Sequence, residues 1–186
     1  MTEDRVNPER LMIRSVLVAE AGVVAGLHAR VRAACCPGGV PGDGAERVAA
    51  WRGAIERPGG HVLCVVRGGR IAAVAAFRTA EDAPADTVTL HRFHVDPGHW
   101  RTGLGSALHA ACVEQWQADG KRAALLDVPF GDPRARAFYA RLGWVPDTAD
   151  TADTERPAAG GDRPVPLRYA VPGRAGTTGV SGGAGE

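Results

Sequence analysis

Apolar and polar positions along this chain change period several times, and each change predicts an element. MIRSVLV, residues 12–18, alternates as a strand does. The following segment, 19–34, puts Val23, Leu27, Val31 and Ala34 on one helical stripe. CCPGGVPGDG (35–44) breaks that period with Pro and Gly. Asp43 or Gly44 then opens a second helix through Glu56, with Val48, Trp51 and Ile55 as its buried face. Residues 61–79 read as a hairpin, because two β-branched runs flank Arg67-Gly68-Gly69-Arg70 and paired glycines suit the positive φ of a primed turn. After the turn EDAPAD come a strand at 87–95, a helix at 103–118, a strand at 123–128, a short helix at 133–142 and a last strand at 165–171.

The order β-α-α-β-β-β-α-β-α-β predicts an α/β (mixed α+β) domain in which helices cover one mixed sheet. Residues 1–10 read as a polar N-terminal extension and 11–171 as the domain. The run 147–162 reads as a polar loop, and 172–186, which lacks any apolar period, as a flexible Gly-rich tail.

Composition narrows the classes. With 186 residues, 45% hydrophobic and 23% charged, the chain reads as one soluble globular domain. A net charge of +1 with scattered basic residues argues against nucleic acid or a membrane surface as partner. The apolar run 16–29 carries Glu20 and His28, so it is neither a signal region nor a membrane span. Cys35, Cys36, Cys64 and Cys112 lack C-x-x-C spacing, which predicts reduced thiols and a cytoplasmic location. No metal is expected: His91 and His94 fall on opposite faces of a regular strand, unless a bulge intervenes.

Two stretches carry the candidate chemistry. In HVDPGHWRTGLGSALHAAC (94–112) a strand ends, the chain turns at Pro97, and a helix begins whose face is Leu104, Ala107, Leu108, Ala111 and Gln115, with Cys112 and Trp116 beside it. The first N–H groups of a helix lack intrahelical partners and sit at its positive end, so Gly103 and Gly105 leave room for an anion there, most naturally a phosphate. The full G-x-G-x-x-G is absent, since Leu108 takes the third place, and glycines with a purely steric role account for the turn equally well. In GDPRARAFYARLGW (131–144), Asp132 suits the N-cap, Pro133 the first helical position and Gly143 the C′ position. Ala135, Phe138 and Leu142 face inward there, and Tyr139 lies at the edge of that stripe, its phenol within reach of a cleft.

Together, VDPGHWRTGLGSAL (95–108) and DPRARAFYARLGW (132–144) resemble the GCN5-related N-acetyltransferase (GNAT) superfamily. The resemblance implies a mostly antiparallel mixed sheet with a splayed centre, flanked by helices, and acetyl-CoA as co-substrate. It implies pantetheine in the gap between the fourth and fifth strands, against backbone groups of Phe93, His94 and Val95. It also implies pyrophosphate on N–H groups of Arg101, Thr102, Gly103, Leu104, Gly105 and Ser106, with Trp100, Asp132 and Phe138 alongside. Three positions depart from the family pattern. Trp100 replaces a basic residue or Gln, Arg101 a Gly, and Asp132 a common Asn, so Asp132 is expected to act as a cap.

The activity so implied is one-step acetyl transfer to an amine on a small molecule or peptide. Tyr139 is the general acid on this reading: a phenol near about 10 and a thiol near about 8.5 are closely matched for proton transfer. A strand-four N–H near His94 would polarise the thioester carbonyl. His91 ranks first as base beside a water-relayed path, with a structural histidine as the plain alternative. Asp43, Glu46 and Glu56 are the candidates for attracting a cationic amine. The competing reading is a regulatory GNAT-fold module that binds acyl-CoA without catalysis. A nucleotide-dependent oxidoreductase is a third. Whether the chain acts as a monomer or a homodimer is left open by the sequence.

Overall fold

The computed structural model describes residues 11–35, 43–81, 83–129, 132–147 and 164–173. The expected N-terminal extension, most of the polar loop, all but the first two residues of the tail, and Cys36 lie outside the described residues. The elements are β1 (Met12–Ser15), α1 (Ala21–Cys35), α2 (Gly44–Glu56), β2 (Gly60–Arg67), β3 (Arg70–Arg78), β4 (Thr87–Val95), α3 (Leu104–Ala118), β5 (Ala123–Pro129), α4 (Pro133–Arg141), β6 (Val145–Pro146) and β7 (Pro164–Ala170). Short 3-10 turns precede α1 and follow β4, at Val18–Glu20 and Pro97–His99. None of the described helices is long and apolar enough to cross a membrane.

The strands form one sheet in the order β1-β2-β3-β4-β5-β7-β6, antiparallel throughout except where β4 meets β5. Gly68 and Gly69, at φ 56° and 76°, make the predicted β2–β3 turn. Helices cover both faces, so β2 and β3 are buried nearly end to end and divide two cores by alternation. Val62, Cys64 and Val66 join the core under α1 and α2, while Leu63 and Val65 join the core under α3.

Period was legible in the helices, but phase was not always. In α1 the buried positions are Ala21, Val24, Ala25, Leu27 and Val31, whereas Val23, expected inside, is 54% exposed. In α3 the buried stripe is Leu104, Leu108, Cys112 and Trp116, joined by His109, which the apolar pattern did not single out. The Trp144 indole donates to His109 Nε2 at 2.9 Å, joining α3 to the end of α4. The two-residue β6, which extends the sheet beyond β7, was not foreseen.

Two irregularities of β4 create the site. Its parallel ladder with β5 covers only Thr87↔Ala123, Val88↔Ala124 and Thr89↔Leu125, after which the strands part. Against β3, Leu90 pairs with Phe77 and Arg92 with Ala76, so His91 is a bulge residue without a cross-strand partner. The bulge resets the alternation. Leu90 and Phe93 pack with the α3-side core, while His91, Arg92 and His94 all lie on the α1–α2 side. The expected opposition of His91 and His94 therefore does not occur.

Candidate functional site

A cavity of about 750 Å³ lies where β4 and β5 separate, in the size range of small-ligand sites. It extends from Phe93 and Val95 to the turn that opens α3, with α4 along one side and Val31 and Cys35 of α1 at its border.

The ladder register determines what β4 offers to the gap. Asp96 donates its N–H to Ala72 O at 2.8 Å, which turns residue 96 toward β3. Residues 94 and 92 share that direction by the two-residue repeat of an antiparallel ladder, so the N–H and C=O groups of Phe93 and Val95 point into the gap. His94, expected among the backbone contacts, instead spends its pair on Val74 of β3. Its side chain stacks on His28, centroids 4.3 Å apart, and does not line the cavity.

The α3 turn has an unusual backbone. Gly103 is the N-cap at φ 87°, and Arg101 also holds a left-handed φ of 64°. An L-residue there carries a cost of about 1–2 kcal/mol, because its Cβ crowds the carbonyl. Arg101→Gly is therefore expected to raise stability by about 1 kcal/mol, read as a higher thermal midpoint, while removing a cavity-lining cation. A lowered midpoint would show that the arginine side chain holds the turn.

Gly105 answers a different need. A Cβ on it would stand 3.1 Å from Phe138 Cε2 and 3.5 Å from Val95 Cγ2, so a side chain here makes the Phe138 ring give way by a few tenths of an ångström. Gly105→Val is expected to displace the Phe138 ring into the cavity, lowering thermal stability and the affinity for any diphosphate ligand held at the turn. Unchanged calorimetric affinity would contradict that placement. Ser106 and Gly103 also line the cavity, whereas Thr102 closes the turn by donating its hydroxyl to His99 O at 2.7 Å, and Leu104 is buried in the core.

Three arginines line the cavity. Arg101 was anticipated, but Arg134 and Arg141 were not. Their spacing with Phe138, at 134, 138 and 141, marks one helical stripe, and that signal was present in the sequence. The Arg134 guanidinium lies over the Trp100 ring, 4.3 Å from its centroid. Trp100 in turn donates its indole N–H to Val95 O at 2.8 Å, so the residue standing in place of a basic one ties the turn to the strand end. His99 Nδ1 is buried at the cavity wall without a hydrogen-bond partner. Asp132 caps α4 as expected, accepting from Ala135 N–H at 3.0 Å, and also reaches the cavity border. Positive helix ends, three arginines and an unpartnered imidazole nitrogen suit a diphosphate.

Tyr139 lies deeper than expected. It is the buried residue of α4, 5% exposed, and the edge position belongs to Phe138. Its ring packs among Phe93, Phe138 and Trp144, with centroids 6.1, 5.1 and 5.5 Å away, yet it still lines the cavity. Burial, with Cys112 and Asp132 nearby, raises its pKa well above the ordinary phenol value, so it is protonated at neutral pH. His91 does not share this cavity. Among the described residues no group of three or more His, Cys, Asp or Glu side chains could hold a metal ion.

The sequence matches the profile of the acetyltransferase (GNAT) family over residues 30–144. Among solved structures, the ribosomal-protein-S18-alanine N-acetyltransferase of Escherichia coli is similar with TM-score 0.64 and 21% identity, over 91% of this chain and 98% of that one. PaiA N-acetyltransferase of Thermoplasma acidophilum, in complex with coenzyme A, is similar with TM-score 0.66 and 12% identity, over 87% and 99%. YncA of Salmonella typhimurium, solved with its cofactor acetyl-CoA, is similar with TM-score 0.68 and 18% identity, over 90% and 98%. No curated protein matches the sequence significantly.

Proposed function

We propose, on the premise that this chain belongs to the acetyltransferase (GNAT) family, that it transfers an acetyl group from acetyl-CoA to an amine on a small molecule or peptide. The observation that carries the proposal is the single cavity that joins the parted β4 edge, the arginine-lined α3 turn and the Tyr139 phenol. That PaiA and YncA were solved with coenzyme A and acetyl-CoA supports a thioester in this gap.

Acetyl-CoA supplies an activated acyl group and a thiolate leaving group. The remaining work falls to the chain. Phe93 and Val95 present N–H groups toward the gap, where they orient amides and polarise a carbonyl. The α3 turn with Arg101, Arg134 and Arg141 holds the diphosphate end. Phe93 and Phe138 exclude water from the reacting end. Tyr139 keeps its proton until a thiolate forms within reach, then donates it. Burial disfavours the phenolate, so Tyr139 gives up its proton only to a thiolate made more basic by the same apolar surroundings.

The amine must lose a proton before it attacks. Burial first, and then Arg78, Arg92 and Arg57, lower the pKa of His91 below the ordinary value, which keeps it neutral but weakens it as a base, so a water-relayed path takes the amine's proton. The non-catalytic reading, acyl-CoA binding alone, draws support from the strained Arg101. Mass spectrometry of an amine panel incubated with acetyl-CoA separates the two: acetylated product supports the enzyme, while calorimetric CoA binding without any product supports the binding module.

A further inference from the structure

A second cavity, of about 240 Å³, opens on the other face of the sheet, between the end of α2 and strands β3 and β4. Arg57, Arg78, Arg92 and His91 line it. None of these three guanidiniums forms an ion pair with an Asp or Glu among the described residues, whereas Arg14 and Arg30 are paired with Glu20 and Asp96, each at 2.7 Å. Arg92 lies over the Trp51 ring, 4.7 Å from its centroid, and its Nη1 is buried with no hydrogen-bond partner. A guanidinium keeps its charge at any physiological pH, so such a nitrogen is an unmet demand for an acceptor. The field in the cavity is positive: beside the burial of His91, all three arginines act against a charge on it and Asp127 alone opposes them. Asp43, Glu46 and Glu56, the acids expected to attract a cationic amine, do not line it.

We propose that this cavity binds an oxyanion carried by the acceptor, so that the acceptor is an amine bearing a carboxylate or phosphate group. The inference rests on the acyl-transfer reading. Arg92 and Phe93 are consecutive on β4, so an acceptor whose acidic group sits against Arg92 has its remaining atoms beside the parted edge of the same strand. Guanidinium forks match both oxyanions, and they match a planar carboxylate in two-point fashion. The volume is that of several waters, at about 30 Å³ each, which suits an acidic head group and excludes a large surface partner. The face opposite the arginine-rich diphosphate cavity thus carries its own cationic concavity, and a substrate with a bare cationic amine would be repelled from it.

Two measurements on the full chain test this. In the first, amide NMR spectra are recorded with N-acetylglycine, with inorganic phosphate and with neutral N-acetylglycinamide, all without acetyl-CoA. At least one of the two anions is expected to shift Arg78, His91 and Arg92 while the neutral probe does not, and the responding anion identifies the head group. Arg78→Gln and Arg57→Gln should each weaken that binding about tenfold, as loss of a charge-assisted hydrogen bond does, with CoA affinity unchanged. Absence of shifts with both anions overturns the proposal, as do equal shifts with the neutral probe.

In the second, amino acids and their primary amides are compared as acceptors. A preference for the acids, lost in Arg78→Gln through KM, supports the proposal, and equal use of acids and amides overturns it. Anion binding without acetylation of any amine would leave the oxyanion site standing and remove the acyl-transfer reading.

Discussion

Replacing Tyr139 by Phe is expected to lower acetyl-transfer turnover about a hundredfold while leaving CoA affinity and thermal stability close to those of the parent, the range expected for losing a positioned general acid. The substitution removes one oxygen and nothing else. The ring keeps its contacts with Phe93, Phe138 and Trp144, and among the described residues the phenol is in no hydrogen bond whose loss would strand a buried partner. Because a carboxylic acid would already be ionised at neutral pH, the phenol is the cavity-lining side chain best suited to re-protonate a thiolate. Its raised pKa also predicts that turnover shows no decline attributable to Tyr139 ionisation below about pH 10. Steady-state kinetics beside calorimetry read both quantities. Undiminished turnover in the Phe variant would remove Tyr139 from the chemistry, and a large fall in stability would assign it to packing instead.

Acid is expected to unfold the protein through three neutral imidazoles. Burial lowers the pKa of His109 to about 4. Burial, followed by repulsion from Arg92, lowers that of His28 to about 4. Burial, followed by its stacked partner His28, lowers that of His94 to about 3. In the unfolded chain each titrates near about 6.5. The folded values are depressed, so between pH 6.5 and about 4 the unfolded chain takes up protons that the folded chain refuses. The contribution of these imidazoles is therefore constant above about pH 6.5 and falls as pH drops toward about 4, by on the order of 2–3 kcal/mol for an imidazole buried as fully as His109. Protonating His109 also destroys the acceptor that the Trp144 indole uses, which couples α3 to the end of α4. Urea unfolding at stepped pH measures the effect. His109→Gln should flatten part of the slope at the cost of lower stability at neutral pH. A midpoint constant from about pH 7 to pH 4 would refute the account.

The chain announced its elements with some fidelity. The strand expected at 87–95 is β4 to the residue, and Asp43, Asp132, Pro133 and Gly143 occupy the caps and helix ends assigned to them. These features are local, since backbone geometry ties period to element type and caps act within a turn. The α3 and α4 motifs were likewise legible, because a glycine turn and a capped aromatic helix declare themselves within a few residues.

What escaped the sequence was non-local. Val23 and Val24 are equally apolar, and only the packing of α1 on the sheet put Val24 inside. Tyr139, rather than Phe138, became the buried member of its pair through the ring cluster formed with Trp144 and Phe93. The pairing of His109 with Trp144 spans 35 positions and leaves no periodic trace. The bulge at His91 turned Arg92 and His94 to the α1–α2 side, where Arg57 and Arg78 from other elements line the same concavity as Arg92.

The sequence by itself determined the type and approximate extent of most helices and strands, and it marked the glycine turn and the capped aromatic helix that line the larger cavity. Tertiary structure alone decided which faces are buried, which strand-four groups look into the gap, and where unpaired cations collect. The physical reason is that periodicity follows from the backbone, whereas register, bulges and charge clusters arise only when distant segments compete for the same buried space.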